Sequence, residues 1–183
     1  PAADAVHKVT IIPRGRALGV TEQLPGEDRY NYSKEYLIAR LAVMLGGRSS
    51  EEIAMDDITT GAENDLLEAT KLARHMITRW GMGNLGLMAI EGDENAPFLG
   101  YELTQPRNIS DETAALIDQN VKQLLEEIHQ DVKQLINNYR PQLDQLVQAL
   151  LQEETINEEG LMKILGNQHM ISIETPQIVE AKK

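Results

Sequence analysis

The stretch Thr59-Thr60-Gly61-Ala62-Glu63-Asn64-Asp65-Leu66 marks the start of a helix and places a carboxylate in its first turns. Thr60 followed three residues later by Glu63 is typical of a capping box. Glycine at position 81 is a common signal for the end of a helix. We therefore predict a helix that begins at about Gly61, runs through Trp80 and ends at Gly81.

Asp65 falls on the predicted apolar face of this helix. At helical spacing it shares a face with Ala69, Leu72 and Met76. A carboxylate there is costly to bury unless it accepts hydrogen bonds, pairs with a cation or binds a metal ion. Two interpretations stay open from the residues alone: Asp65 interacts with the helix N-terminus or a buried arginine such as Arg48, or it is a metal ligand.

The composition limits the classes of partner and site. The 183 residues are ample for a buried core in one domain or two small ones. With 29 acidic residues against 17 Lys and Arg, the net charge of -12 argues against nucleic acid and anionic membrane surfaces as partners. The absence of cysteine means that any metal site would need His, Asp or Glu. No apolar run approaches a membrane span and no signal peptide opens the chain, so we expect this chain itself to be soluble.

Two β-rich segments near the N-terminus predict a hairpin, over residues 7–12 and 17–24, with a turn at residues 13–16. Two strands alone are marginally stable, so the hairpin is expected to pack on helices or to continue a larger sheet. Gly19 suggests a place where another backbone comes close. The exposed edge is either an ordinary structural edge or one that accepts an extended peptide by β-augmentation.

A helix is predicted over residues 33–45. Gly46-Gly47 either interrupts it or lets two helices touch closely within a longer one, and residues 48–53 form the next helical piece. In that piece Glu51 and Glu52 are candidate metal ligands or bases. Such a pair is more often a solvated or arginine-paired helix face.

Three helices are predicted in the C-terminal half. The first covers residues 111–137 with a continuous apolar stripe. Pro141 lies in the first turn of the second, and a capping box of Thr155 and Glu158 opens a short third helix that ends at Gly166. The chain is therefore predicted to be mainly α, with a small N-terminal β-hairpin.

Two segments lack a regular pattern. Residues 91–107 read as an acidic, proline-containing loop with one apolar cluster, Phe98-Leu99-Gly100-Tyr101. The periodicity fades after Gly166, so we predict one domain over residues 1–166 and a loose tail over residues 167–183.

The familiar catalytic motifs are absent from this sequence. The four histidines, at positions 7, 75, 129 and 169, are too far apart to form HExxH, in which one helix turn sets two histidines on a metal ion. No GxSxG, Walker loop or dinucleotide fingerprint occurs either. The residues alone therefore support only a mostly α acidic domain with one candidate carboxylate.

Several stretches occur together in the order and approximate spacing of a known family, from about His7 to Gly166. They are Lys8-Val9-Thr10-Ile11-Ile12-Pro13-Arg14-Gly15, Leu45-Gly46-Gly47-Arg48 with Glu51-Glu52, Thr59-Thr60-Gly61-Ala62 with Asn64-Asp65-Leu66, Ala73-Arg74-His75-Met76, and Ser110-Asp111-Glu112-Thr113-Ala114. On these motifs the chain resembles the peptidase domain of the FtsH family of membrane-anchored, AAA-type, ATP-dependent zinc proteases.

The resemblance implies a helical peptidase domain that cleaves peptide bonds with zinc-activated water. It implies that Asp65 is the third zinc ligand, beside two histidines of an HExxH motif that this chain lacks. Glu51 is the alternative acidic ligand, ranked lower because nearby Arg48 offers it an ion pair. The resemblance also implies that the strand Gly19-Val20-Thr21 binds substrate through its main chain, which suits digestion of proteins of many sequences.

Departures from the family pattern shape what we expect of the longer protein. HExxH is expected just upstream of Pro1, and the ATPase module and membrane segments are absent from this sequence. We therefore expect a fragment, inactive alone, of a homo- or hetero-hexamer. The parent would be tethered to a membrane, with this domain on the cytoplasmic, matrix or stromal side, and would use ATP to degrade unfolded or membrane proteins.

Two further departures are local: Asp56 stands where many relatives have Gly, and Gly83 where many have Ser. A competing interpretation is a non-catalytic oligomerisation module of an AAA-type ring, in which Asp65 is merely structural.

Overall fold

The computed structural model describes residues 2–15, 18–24, 31–90 and 109–166. The elements within these ranges are β1 (Ala5–Thr10), β2 (Val20–Leu24), α1 (Lys34–Ala54), a 3₁₀ turn (Thr60–Ala62), α2 (Glu63–Thr78), α3 (Asp111–Asn138), α4 (Arg140–Glu153), β3 (Thr155–Asn157) and α5 (Glu158–Leu165). The predicted mainly α fold with a small N-terminal hairpin is confirmed. The predicted loop over residues 91–107 and the predicted tail over residues 167–183 both lie outside the described ranges.

The main core forms where α1, α2 and α3 pack on one another. Each helix contributes an apolar stripe at helical spacing, and burial of such stripes is the principal driving force for folding. The largest side chains with almost no solvent exposure are Leu37, Leu41, Met76, Ile77, Ile117 and Ile128. The stripe predicted on α3 is thus confirmed as core.

The first helix continues through its glycine pair. α1 extends from Lys34 to Ala54, and the Ser33 hydroxyl caps it by accepting the Tyr36 amide at 3.2 Å. Within the described ranges, a methyl group added at Gly46 or Gly47 would meet nothing within 4 Å. The prediction that two helices touch closely at this pair is therefore wrong for the part of the chain described.

The start of α2 differs from the predicted capping box. The Thr59 hydroxyl, rather than that of Thr60, accepts the Gly61 amide at 3.1 Å and begins a 3₁₀ turn. The α-helix itself runs from Glu63 to Thr78, two residues short of the predicted end. It ends there because the chain turns at Gly81, whose φ of +60° suits glycine.

The hairpin belongs to a three-stranded antiparallel sheet with the order β2-β1-β3. The prediction that Thr155 opens a helix is wrong. Thr155 lies in β3, where it pairs with Thr10 of β1, and the two hydroxyls lie 2.8 Å apart. The helix cap is Asn157, whose side chain accepts the Gly160 amide at 3.0 Å. The third strand supplies the larger sheet that the marginal hairpin was expected to need.

A second, smaller core joins this sheet to the last two helices. Leu150 of α4, Ile156 of β3 and Leu161 of α5 are buried together, with Val6 and Val9 of β1 packed against them. The predicted position of Pro141 in the first turn of α4 is confirmed. The C-terminal helices therefore cover the sheet and leave the α1–α2–α3 core to position the candidate site.

Candidate metal and substrate site

Asp65 lies in the first turn of α2, where its carboxylate interacts favourably with the helix N-terminus. Its side chain is exposed, so the prediction that it points inward is wrong. All residues from 63 to 68 are exposed, because the buried face of α2 begins only at Ala69. Helical periodicity identifies the face correctly, but it does not specify where along α2 close packing begins, and Leu66 beside Asp65 lines an open groove rather than the core.

Arg48 does not pair with either of its predicted partners. Its Nε donates to Glu52 Oε1 at 2.8 Å, one helical turn along α1. The suggested ion pairs of Arg48 with Asp65 and with Glu51 are therefore not formed among the described residues. An i, i+4 pair on one helix face is the arrangement that α-helical geometry favours.

Glu51 is held by Thr59. Its Oε1 accepts the Thr59 hydroxyl at 2.7 Å, and its Oε2 accepts the Thr59 amide at 3.1 Å. These bonds, the one from the hydroxyl above all, hold the pKa of Glu51 below its usual value of 4.5. The carboxylate therefore joins α1 to the turn that leads into α2.

Glu52 is the centre of a cluster that the sequence did not reveal. Besides Arg48, its carboxylate accepts Lys133 Nζ at 3.1 Å and lies 3.2 Å from His129 Nε2. Burial raises the pKa of Glu52, but the hydrogen bonds from Lys133 and Arg48 outweigh it and leave the pKa below its usual value. The arginine-paired interpretation of this acid is thus confirmed.

Ser49 extends this cluster, since its hydroxyl lies 2.9 Å from His129 Nδ1. The ring nitrogens are used in the opposite sense from a hydrolase triad, in which the serine bonds Nε2 and the acid bonds Nδ1. The Ser49 side chain is fully buried, and its hydroxyl also donates to the Leu45 carbonyl at 2.9 Å. A substrate cannot reach a nucleophile in that position. These contacts therefore join α1 to α3. Ser49 and His129 interrupt the apolar stripes of their helices, and that interruption is the sequence signal that could have predicted the contact.

A groove of about 480 Å³ lies between α1, α2 and α3. Its apolar lining comes from Leu45, Leu66, Val121 and Leu125, and its charged lining includes Arg74 and Glu126. Leu66 directly follows Asp65, so the candidate ligand stands near the rim of this groove.

The candidate substrate strand lies at one edge of the sheet. β2 pairs with β1 on one side, and within the described ranges no strand pairs with its other side. Val20 and Thr21 are exposed there. A methyl group added at Gly19 would lie 2.6 Å from the Thr10 carbonyl oxygen. The predicted close approach of another backbone is therefore confirmed, and that backbone is the end of β1.

Residues 1–164 match the profile of Peptidase family M41. The chain belongs to this family. An ATP-dependent zinc metalloprotease FtsH from Nitrosococcus oceani is 48% identical over 168 residues, 91% of this chain and 26% of the relative. One from Syntrophus aciditrophicus is 49% identical over 169 residues, 90% of this chain and 23% of the relative. The chain thus spans about a quarter of the length of these relatives.

The M41 match confirms the resemblance to FtsH that the sequence motifs indicated. An FtsH 4 from Sphaerobacter thermophilus, also named an ATP-dependent zinc metalloprotease, is 47% identical over 91% of this chain. Among the helices that the structure describes, none combines the length and apolar character needed to cross a bilayer.

The donor set of this M41 chain fits one zinc ligand rather than a whole site. No three His, Asp or Glu side chains gather as a metal site within residues 2–15, 18–24, 31–90 and 109–166. A catalytic zinc site takes three protein ligands and leaves one position open. An exposed carboxylate such as that of Asp65 fits the role of a single oxygen ligand, and the remaining ligands would have to come from outside the described residues.

The structure shows the geometry at Asp56 and Gly83, the two positions expected from the family resemblance to be local departures. Asp56 follows α1 with φ +51°, a conformation that glycine adopts at little cost, which explains why glycine suits this position. A methyl group added at Gly83 would lie 2.9 Å from Ile77 Cγ1. A serine there would require Ile77 to shift, so glycine suits this position beside the Ile77 side chain.

Proposed function

We propose that this chain is the peptidase domain of an ATP-dependent zinc metalloprotease that degrades unfolded or damaged proteins. The observation that carries the proposal is the family match across nearly the whole chain, together with the exposed carboxylate of Asp65, which is available as one zinc ligand. Zinc, when bound, acidifies a water molecule for attack on a peptide carbonyl. In this proposal residues 1–166 form the domain and residues 167–183 its tail.

Asp65 is suited to hold the metal for two reasons. Its side chain is exposed beside the groove between α1, α2 and α3, so a ligand from another segment can reach the same ion. It also makes no hydrogen bond or ion pair within the described ranges that metal binding would have to break. Glu51 is the weaker candidate, because both of its oxygens accept hydrogen bonds from Thr59.

The proposal also includes parts of the protease that this chain does not contain. A longer protein would supply the HExxH motif, the ATPase module that feeds substrate to the zinc, the membrane tether and the hexameric assembly. The domain would then lie on the cytoplasmic, matrix or stromal side of the membrane. We expect the isolated chain to bind zinc poorly and to cleave nothing, since one ligand is insufficient.

The substrate would bind as an added strand on β2. Its outer edge presents main-chain groups at Val20 and Thr21, and apolar side chains of Leu18, Val20 and Leu24 are exposed along it. Main-chain pairing is indifferent to side-chain identity, which suits an enzyme for unfolded proteins.

The test of the metal role compares two first-turn acids of α2 in the full-length protein. Asp65→Asn and Glu63→Gln each remove a charge that favours the same helix N-terminus, so their effects on stability should be similar. We expect only Asp65→Asn to lose bound zinc and casein hydrolysis. If Asp65→Asn keeps both, Asp65 is not a ligand. If the unmodified full-length protein binds no zinc, the oligomerisation module becomes the better interpretation.

The test of the substrate edge uses proline, which lacks the amide hydrogen that a strand donates. Successive residues of a strand direct their amides to opposite sides, so Val20→Pro and Thr21→Pro remove one inward and one outward donor. We expect the outward substitution to abolish casein degradation in the full-length protein while hydrolysis of a short peptide and zinc content are retained. Full casein degradation by both variants would disprove the proposed edge.

A further inference from the structure

A two-sided hydrogen-bonded link fixes the turn that leads into α2. Glu51 near the end of α1 accepts both the hydroxyl and the amide of Thr59, at 2.7 and 3.1 Å. The same Thr59 hydroxyl accepts the Gly61 amide at 3.1 Å. The link therefore runs without a break from α1 to the 3₁₀ turn over residues 60–62.

Little else among the described residues holds the first turn of α2. Ala62, which precedes the helix, makes no side-chain cap, and residues 63–68 are all exposed. The nearest buried residues on either side of that stretch are Ala62 and Ala69. The direction of the first turn, and with it the place of Asp65, depends on how residues 59–61 are held.

We infer that Glu51 is a positioning residue for Asp65, acting through Thr59, and that it is not itself a metal ligand. The inference rests on the proposed function, in which Asp65 binds zinc. Both Glu51 oxygens already accept hydrogen bonds, whereas Asp65 is exposed and directed away from the core. A ligand displaced by a fraction of an ångström binds its metal less well, and loss of the groups that orient metal ligands typically lowers affinity about 10- to 100-fold.

The space around Gly61 supports this assignment. A methyl group added there would lie 3.2 Å from Thr59 Oγ1 and 3.5 Å from Glu51 Oε1. The carboxylate therefore packs directly against the turn that it orders. Its negative charge beside the start of a helix is also the favourable sign for the helix dipole.

Zinc affinity, measured by competition with a chelator in the full-length protein, tests the inference. We expect Glu51→Ala and Thr59→Val each to weaken zinc binding about 10- to 100-fold. The double variant should bind zinc no more weakly than the weaker-binding of the two single variants, because both changes break the same Glu51–Thr59 link. Thr59→Ser keeps the hydroxyl and should bind zinc as the unmodified protein does.

Two controls separate positioning from general loss of structure. Ser50→Ala, at the neighbouring position of α1, should leave zinc affinity unchanged. In the zinc-free protein, hydrogen exchange at residues 60–66 should accelerate in Glu51→Ala and Thr59→Val, while the thermal midpoint changes by only a few degrees.

The outcomes distinguish this inference from the proposed function. If Asp65→Asn weakens zinc binding but Thr59→Val does not, the inference is overturned and the proposed function stands. If Glu51→Ala weakens zinc binding while Asp65→Asn and Thr59→Val do not, Glu51 is a ligand. If Asp65→Asn leaves zinc affinity unchanged, Asp65 is not a ligand, and this inference fails together with the metal role proposed for Asp65.

Discussion

The hydroxyl of Ser49 and Nδ1 of His129 lie 2.9 Å apart, joining α1 to α3 inside the main core. The other ring nitrogen of His129 lies 3.2 Å from Glu52, which belongs to α1 as well. One histidine thus bridges two side chains on successive turns of the same helix. Polar groups in a core are tolerated when they satisfy one another in this way.

Ser49→Ala is expected to destabilise the chain by about 1–2 kcal/mol, because it leaves His129 Nδ1 without its protein partner. Ser50→Ala, on the same helix but only half-buried, is the matched control and should change stability by less than about 0.5 kcal/mol. Chemical denaturation of both variants provides the measurement. Equal stability of the two would show that the hydrogen bond contributes nothing.

Glu52→Gln should produce a difference in stability that depends on pH. The pKa of Glu52 is held below its usual value of 4.5, so its charged form stabilises the fold above that pH. The contribution is lost as the pH falls through the lower pKa of the folded state. The free energy of unfolding of the wild type should therefore exceed that of Glu52→Gln above pH 4.5, and the gap should close with acidification.

Denaturation curves at a series of pH values from about 6 down to about 3 test this expectation. Glu68→Gln is the control, because the exposed pair of Glu68 with Lys71 is of the kind that contributes little to stability. A gap between wild type and Glu52→Gln that is constant with pH would show that the charge cluster does not stabilise the fold.

Periodicity predicted most of the helices because each buries a long stripe. The 28 residues of α3 repeat the apolar signal over several turns, so its start and its core face were both predicted correctly. β3 was missed for the opposite reason. It has three residues, and the partner of Thr155 is Thr10, 145 residues away in sequence, so no local pattern predicts the pairing.

The candidate site shows a different limit of local patterns. Helical spacing placed Asp65 on the apolar face, but it does not specify how far along α2 the neighbouring helices reach. The partner of Arg48 was assigned to Glu51 or Asp65, although the observed partner, Glu52, lies at i+4 on the same helix and could have been predicted from helical spacing. Resemblance to a family supplied Asp65 as the candidate ligand, and tertiary packing determined how exposed its side chain is.

Glu154→Gly is expected to stabilise the chain by about 0.5–1 kcal/mol. Glu154 has φ +59°, a left-handed conformation that strains residues other than glycine, and its side chain is exposed. Its carbonyl accepts the Ile11 amide at 3.0 Å, so the backbone conformation is retained after substitution. Glu153→Gly, the same change within α4, should instead destabilise. The thermal midpoints of the two variants should therefore move in opposite directions.

Asp56→Gly should give a smaller gain than Glu154→Gly, although its φ is also positive, at +51°. Aspartate adopts the left-handed conformation more readily than glutamate does, so less strain is relieved. A larger gain at Asp56 than at Glu154 would show that something other than backbone strain, such as repulsion among neighbouring acids, dominates there.

Gly46→Ala is expected to stabilise the chain by about 1 kcal/mol, because glycine within a helix costs about that much relative to alanine. Gly46 lies inside α1, and within the described ranges a methyl group there meets nothing within 4 Å. The reverse change at a half-buried position of the same helix, Ala39→Gly, should destabilise by a similar amount. A loss of stability in Gly46→Ala would contradict the finding that a methyl group has room at this position. If the substitution stabilises this chain but lowers zinc content or casein hydrolysis in the full-length protein, another segment packs against the glycine pair there.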